Sequence, residues 1–325
     1  MPNKLVSIVI SAYNEQDNVT ELYKQLNTSL KKVKNIDFEF LYVDDGSSDK
    51  TYANCLKLQN KDARVKLVQL KRNFGHEIAM TAGMDYAKGD AVIFMDSDLQ
   101  HPPVYIPEMI ELWRQGKEIV LTKRLDNKAT SKFYKFCAKT FYYILNKLSD
   151  TKIMESAPDF RLLDRKYVNF LKGFNEQDRL FRGLLSWIMP HDNVAVIDFV
   201  APERFSGESK YNFFKSLHLA VNSIVQFSVL PLRLAIYLGL MAATVAFLLG
   251  VYVFVEHFFM HNPTPGYATI MITVIFLGSV QLICLGIIGE YIGKIHMEVK
   301  KRPLYMADYV TKEEKHDAEK NIERR

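Results

Sequence analysis

Apolar residues over the first 125 positions come in short unbroken blocks, most of them followed by a polar segment and then by helical spacing. "LVSIVIS" (5–11) gives way to "AYNEQDN", a segment suited to start a helix that runs to about Leu30. "FEFLYVDDGSSDKT" repeats the plan, with a strand to Val43, a turn over Asp44 to Ser48 and a helix opening near Asp49 and Thr51. "VKLVQLKRNFGHEIAMTAGMDYAKGD" and "AVIFMDSDLQHPPVYIPEMIELWRQG" supply two more strand–helix pairs, and "EIVLTKR" a further strand. Strands that are apolar throughout are buried on both faces, so the pattern predicts an α/β domain with a mostly parallel sheet between helices. Ligands bind such sheets at the carboxyl ends of the strands. The acidic clusters fall there.

The far end of the chain has a different pattern. From Leu232 to Val255 one charge, Arg233, stands near the start of an otherwise apolar run, and a second run extends from Tyr267 to about Ile288. About 20 apolar residues cross a bilayer, so the two runs predict a transmembrane hairpin joined by the Pro-rich "EHFFMHNPTPG". Lys and Arg flank the outer ends of both runs and are absent from the joining loop, which predicts that the α/β domain and both termini face the cytoplasm. The expected division is an α/β domain at 1–206, an interfacial amphipathic region at 207–231, spans at 232–255 and 267–290, an extracytoplasmic loop at 256–266 and a cytoplasmic tail at 291–325.

Composition narrows this little. A net charge of +5 is too mild for a nucleic-acid partner, and none is expected. Cys55, Cys137 and Cys284 lie far apart with no CxxC spacing, which suits a reducing compartment and small core residues better than disulfides or zinc. The N-terminus lacks the long apolar stretch of a secretory signal and is expected to form the first strand. Residues 126–158, rich in Lys and aromatics, suit either a helix lying on a membrane surface or one packed on the domain. The charged tail from Thr311 is expected to be solvated.

The candidate chemistry is carried by carboxylates. Asp96 and Asp98, one residue apart at a strand end, repel each other unless a cation or proton shares their pocket. Hard oxygen donors of this kind suit Mg2+ or Mn2+, which commonly complete their shell with water and substrate phosphates. DxD alone is a weak signal, yet Asp44 and Asp45 close the second strand and Tyr13, Asn14 and Glu15 the first.

In this order and spacing, "VISAYNEQDN", "YVDDGSSDKT", "LKRNFGHEIAMTAGMDYAKGD" and "FMDSDLQHPP" resemble glycosyltransferase family 2, inverting enzymes of the Rossmann-like GT-A fold that use nucleotide-diphospho-sugars. "PDFRLLDR" (158–165), "RFSGESKYN" (204–212) and the hairpin running into "GEYIGKIHMEVKKRPLY" look like the bacterial polyisoprenyl-phosphate glycosyltransferases, relatives of dolichol-phosphate mannose synthase. The resemblance covers about residues 5–306; Ala157-Pro158 departs from the Thr-Gly that many relatives carry before the Asp.

By that resemblance Asp96, Asp98 and Gln100 hold the metal, with Asp98 also counted as catalytic, while Tyr13, Glu15, Asp44, Asp45, Arg72, Asn73 and Ser97 line the nucleotide. Arg124, Arg204, Ser209 and Lys210 fit the acceptor-phosphate region. Asp159 is the motif's catalytic Asp, open to roles as base, acceptor-positioning group or sugar ligand, or to a plain ion pair with Arg161 or Arg165. The implied reaction moves one sugar, glucose or N-acetylglucosamine, from a UDP-sugar to undecaprenyl phosphate at the bacterial inner membrane. A homo-oligomer, a tetramer, is expected. Two alternatives are a processive polysaccharide synthase, which usually needs more spans and a QxxRW motif, and a non-catalytic scaffold that keeps the fold.

Overall fold

In the computed structural model, which describes residues 3–125, 158–174, 176–177, 179–189, 192–202, 230–255 and 266–311, the apolar blocks form strands and the segments after them helices. The order is β1 (Lys4–Ala12), α1 (Val19–Leu30), β2 (Ile36–Asp44), α2 (Thr51–Gln59), β3 (Val65–Leu70), α3 (His76–Tyr86), β4 (Ala91–Asp96), α4 (Ile106–Arg114) and β5 (Ile119–Arg124). After the break come β6 (Arg161–Asp164), α5 (Arg165–Lys172), α6 (Phe181–Ile188), β7 (Val194–Phe199), α7 (Leu230–Val255), α8 (Tyr267–Val299) and β8 (Ala307–Val310).

Eight strands form one sheet in the order β7-β5-β6-β4-β1-β2-β3-β8, parallel except for β6 and β8. This is the GT-A arrangement expected from the sequence. Alternation along β1 divides the core: Val6, Ile8 and Ile10 face α1, α2 and α4, whereas Val9 faces the layer of α3, α5 and α6. Gly83 lets α3 lie close on the sheet, since a Cβ there would stand 2.2 Å from a Val9 methyl.

The strand β8 comes from the segment that the pattern alone assigns to a cytoplasmic tail. It pairs antiparallel with β3, Lys71 bonds Asp308 at 2.8 Å, and Thr311 Oγ1 accepts from Leu67 N at 2.9 Å. Four residues long and partly polar, it is set by its partner rather than by its own periodicity.

The second compact unit contains α7 and α8. Both hold windows, Leu232–Tyr252 and Ile272–Val299, of mean hydropathy 2.3, long and apolar enough to cross a membrane. Phe247 is 70% exposed and Leu282 71%, an outward apolar surface that water disfavours and that associates with a lipid phase. The hydroxyls of Thr244 and Ser279 bond back to the Leu240 and Ile275 carbonyls, which satisfies them without water. The helix α8 continues past 290 to Val299. The amphipathic regions 126–157 and 207–229 lie outside the described residues.

Candidate active site

Parallel register aligns three strand ends. Ala12 pairs with Asp44 and Ser11 with Asp96, so the carboxylates that close β2 and β4 flank the tip of β1. The backbone crosses directly between them, with Asp45 N donating to Ala12 O at 2.9 Å and Ser97 N to Ser11 O at 3.1 Å.

On one side, the β1–α1 and β2–α2 loops clasp each other. Asn14, in the left-handed region at φ +56°, accepts from Ser48 N at 2.9 Å, while its own N–H donates to Ser47 Oγ at 3.0 Å. Glu15 N donates to Thr51 Oγ1 at 2.8 Å, and Tyr13 is 38% exposed. Asp44 Oδ1 accepts from Ser47 N at 3.2 Å, and its buried Oδ2 has no hydrogen-bond partner among the described residues. A buried acceptor without a donor is an opening for a ligand's hydroxyl or amide.

Asp45, expected to line the nucleotide, also holds a neighbouring loop. Its two oxygens accept from Phe74 N at 2.8 Å and Gly75 N at 2.9 Å, which ties down the β3–α3 loop carrying Arg72 and Asn73. Burial pushes both Asp44 and Asp45 above the ordinary carboxylate range, against those backbone N–H groups. Arg72 is exposed, with its guanidinium 4.3 Å from the Phe74 ring centroid.

Gly46 locks the two loops together. At φ +66° it lies so close to the β3–α3 loop that a Cβ would stand 2.4 Å from the Arg72 carbonyl carbon. Gly46→Ala is expected to cost about 2–5 kcal/mol from the left-handed conformation and the backbone clash together, and to weaken nucleotide binding by displacing Arg72. Thermal melts with and without UDP test it: equal stabilisation of variant and wild type by the nucleotide would contradict the coupling.

On the other side stand Asp96 and Asp98. Asp96 Oδ1 accepts from Ser11 Oγ at 2.9 Å and faces His76 Nδ1 at 3.3 Å. Burial acts to raise Asp96, but His76, His101, Ser11 and Arg182 outweigh it, and the carboxyl sits below its usual range. His101 Nδ1 accepts from Asp96 N at 2.9 Å, and burial acts to lower the His101 pKa while Asp96 and Asp98 act to raise it. The chain then turns at Leu99, φ +63°, with Asp98 Oδ1 accepting from Gln100 N at 3.0 Å, while Ser97 is buried. No group of three or more His, Cys, Asp or Glu among the described residues forms a closed metal cage.

Asp159 is 4% exposed, and both of its oxygens are occupied. Oδ1 accepts from Arg161, and Oδ2 from Arg182 Nη2 at 3.1 Å, with His76 Nε2 3.3 Å from the same atom. Arg161 is the sequence-expected partner; Arg165 instead donates to the Gly89 carbonyl, with its Nε at 2.7 Å. Burial pulls Arg161 down to about 9, which leaves it a cation at neutral pH, paired with Asp159 and 5.4 Å from the Phe181 ring. Arg182 rides on α6, whose start is capped by Glu77 Oε2 accepting from Phe181 N at 2.9 Å.

The structure thus gathers Tyr13, Glu15, Asp44, Asp45, Arg72 and Asn73 on one side of the β1 tip and Asp96, Ser97, Asp98, Gln100 and Asp159 on the other. Arg124 is partly buried at the end of β5. Arg204, Ser209 and Lys210 lie outside the described residues. Ser11, His76, His101 and Arg182 were not among the sequence candidates, although His76 stands in the motif "NFGHE" and opens α3 directly after the Arg72–Asn73 loop.

Comparison with known proteins matches residues 7–171 to the model "Glycosyl transferase family 2" and residues 230–295 to "GtrB C-terminal hairpin". An uncharacterized glycosyltransferase of Synechocystis is 40% identical over 93% of this chain and 94% of its own length. A prophage-derived bactoprenol glucosyl transferase of Shigella flexneri is 38% identical over 93% of this chain and 96% of its own. A prophage bactoprenol glucosyl transferase homolog of Escherichia coli is 36% identical, covering 94% and 99%. With its strand-end carboxylates, its family model over the sheet domain and relatives alike from end to end, the chain is a glycosyltransferase and belongs to glycosyl transferase family 2.

Proposed function

We propose that this enzyme transfers a single sugar, with inversion, from a UDP-sugar to undecaprenyl phosphate at the cytoplasmic leaflet of a bacterial inner membrane, releasing UDP. The observation that carries the reading is the set of carboxylates Asp44, Asp96 and Asp98 at the ends of the two strands that flank β1, in a chain whose other unit is an apolar helix pair. The names of the bactoprenol glucosyl transferases alike over nearly the whole length support the acceptor and favour glucose among the sugars.

Asp96, Asp98 and Gln100 fit a Mg2+ or Mn2+ ion: the donors are hard oxygens, Asp96 is held in its anionic form, and a site with too few protein ligands to close suits an ion shared with a diphosphate. Bound there, the ion would neutralise the charge that gathers on the departing UDP. The chain's own residues do the rest. Asp44 and the loops around it receive base and ribose, Arg72 and Arg182 present cations to phosphate oxygens, and Ser11 orients Asp96. A phosphate monoester acceptor, second pKa about 6, is already mostly dianionic at pH 7, so attack on the anomeric carbon needs no strong base. That suits Asp159, whose oxygens are already engaged. Lys and Arg flanking the two apolar runs support placing the sheet domain and both ends in the cytoplasm.

Release of UDP by purified protein in detergent, across a panel of UDP-sugars, with and without undecaprenyl phosphate and with Mg2+, Mn2+ or chelator, tests the reading. Release from one sugar, only with lipid and metal together, is the expected result. Release that ignores the lipid would refute the acceptor, and silence across the panel the donor.

A further inference from the structure

Two carboxylates from distant parts of the chain, Asp96 at the end of β4 and Asp159 before β6, face opposite nitrogens of the His76 ring, each at 3.3 Å. Ser11 Oγ joins the first contact, 2.9 Å from Asp96 Oδ1 and 3.1 Å from His76 Nδ1. Carboxylate oxygens only accept, so the ring and the hydroxyl between them supply the donors that let two like charges stand so near one another.

The backbone that carries the ring is held in place. Asp45 holds the N–H groups of Phe74 and Gly75, the two residues before it, and His76 is itself the first residue of α3, which is seated on the sheet through Ala79, Met80 and Ala82. The same short loop carries Arg72 and Asn73. One segment therefore connects the nucleotide side of the site, through Asp45, to Asp96 and to the Asp159–Arg182 pair.

We propose that His76 is a positioning residue that sets the gap between the donor half of the site, marked by Asp96, and the half governed by Asp159 and Arg182. What the two halves bind rests on the sugar transfer proposed above; the bridge itself is geometric. Without the ring, Asp98 and the β1 and β2 loops still receive the donor, but Asp159 and Arg182 lose their link to Asp96. The reacting groups then meet in the wrong geometry, an error that falls on turnover rather than on binding.

The test compares His76→Phe, His76→Asn and His76→Gln in the full-length protein. The glutamine amide reaches the place of Nε2 and can donate to Asp159; the asparagine amide reaches only the place of Nδ1. Expected is a fall in kcat of roughly 10- to 100-fold for Phe, as for other residues that orient a metal-holding carboxylate, with a much smaller change in KM for the UDP-sugar. Partial recovery of kcat in Gln but not in Asn is also expected. Wild-type turnover in His76→Phe, or a loss carried by KM alone, would overturn the proposal.

A second measurement does not depend on activity. Melting temperatures of His76→Phe, which removes both ring nitrogens, Asp159→Asn and the double variant are expected to be non-additive, since both changes touch one contact. Strict additivity would overturn the bridge. If the wild type released no UDP from any sugar, the transfer reading would fall by itself and the melts would still decide on His76.

Discussion

Asp98→Asn is expected to lower turnover by roughly 10²- to 10³-fold, the loss that follows when one group stabilising transition-state charge is removed. The substitution is chosen because it spares the fold. Asp98 Oδ1 accepts from Gln100 N in the turn after β4, and an asparagine Oδ1 accepts the same bond. What it removes is charge, and with it the affinity for a divalent ion that must sit against a diphosphate. The melting temperature without ligand should therefore stay near that of the wild type, while the stabilisation given by Mn2+ with UDP should largely disappear. Full turnover in a folded Asp98→Asn enzyme would show that the DxD pair does not hold the ion.

Asp159→Asn should do two things at once. The carboxylate lies 4% exposed against Arg161 and Arg182, and Arg161 is itself buried. Neutralising one partner of a buried ion pair leaves the other charge uncompensated, a loss of about 3–5 kcal/mol. Turnover should fall with it, because Arg182 loses the anion that aims it, whereas affinity for the UDP-sugar should change little. Melts and steady-state kinetics on the same preparation separate the possible roles. A large fall in kcat at unchanged stability would point to proton abstraction by Asp159. A fall in both is what the cage of arginines implies, and no change in either would show the cage to be idle.

The strands and their acidic tips were legible because the driving force behind them is local. β-branched runs such as "LVSIVIS" have one low-energy use, burial between two layers, and the polar residues that stop them must then collect at one edge of a parallel sheet. Asp44, Asp96 and Asp98 follow from that alone. Asp45 falls at the same strand end, but composition cannot show that its oxygens accept from the N–H groups of Phe74 and Gly75. The Asp159 cage was only half visible. Arg161 is two residues away, but Arg182 reaches Asp159 only because α6 is fastened to α3 by Glu77 and by Arg179 donating to Thr81 Oγ1 at 3.2 Å. His76 needed the strand order itself, since the β3–α3 loop must come over β1 toward β4 before its ring can face Asp96. The sheet's antiparallel members, β6 and β8, are four residues each, too short for periodicity to reveal their direction.

The pairing of β8 with β3 also dictates an order of events during synthesis. The sheet is built from the first two hundred residues and then from Ala307–Val310, with both long apolar helices encoded between them. At translation rates of about 5–20 residues per second, the outer edge of β3 waits on the order of tens of seconds for its neighbour. The ribosome must deliver the whole hairpin before that edge is closed. A chain that stalls or is cut before residue 307 therefore keeps an open strand edge, a template for joining another chain, so β8 protects the sheet only once both apolar helices have been made.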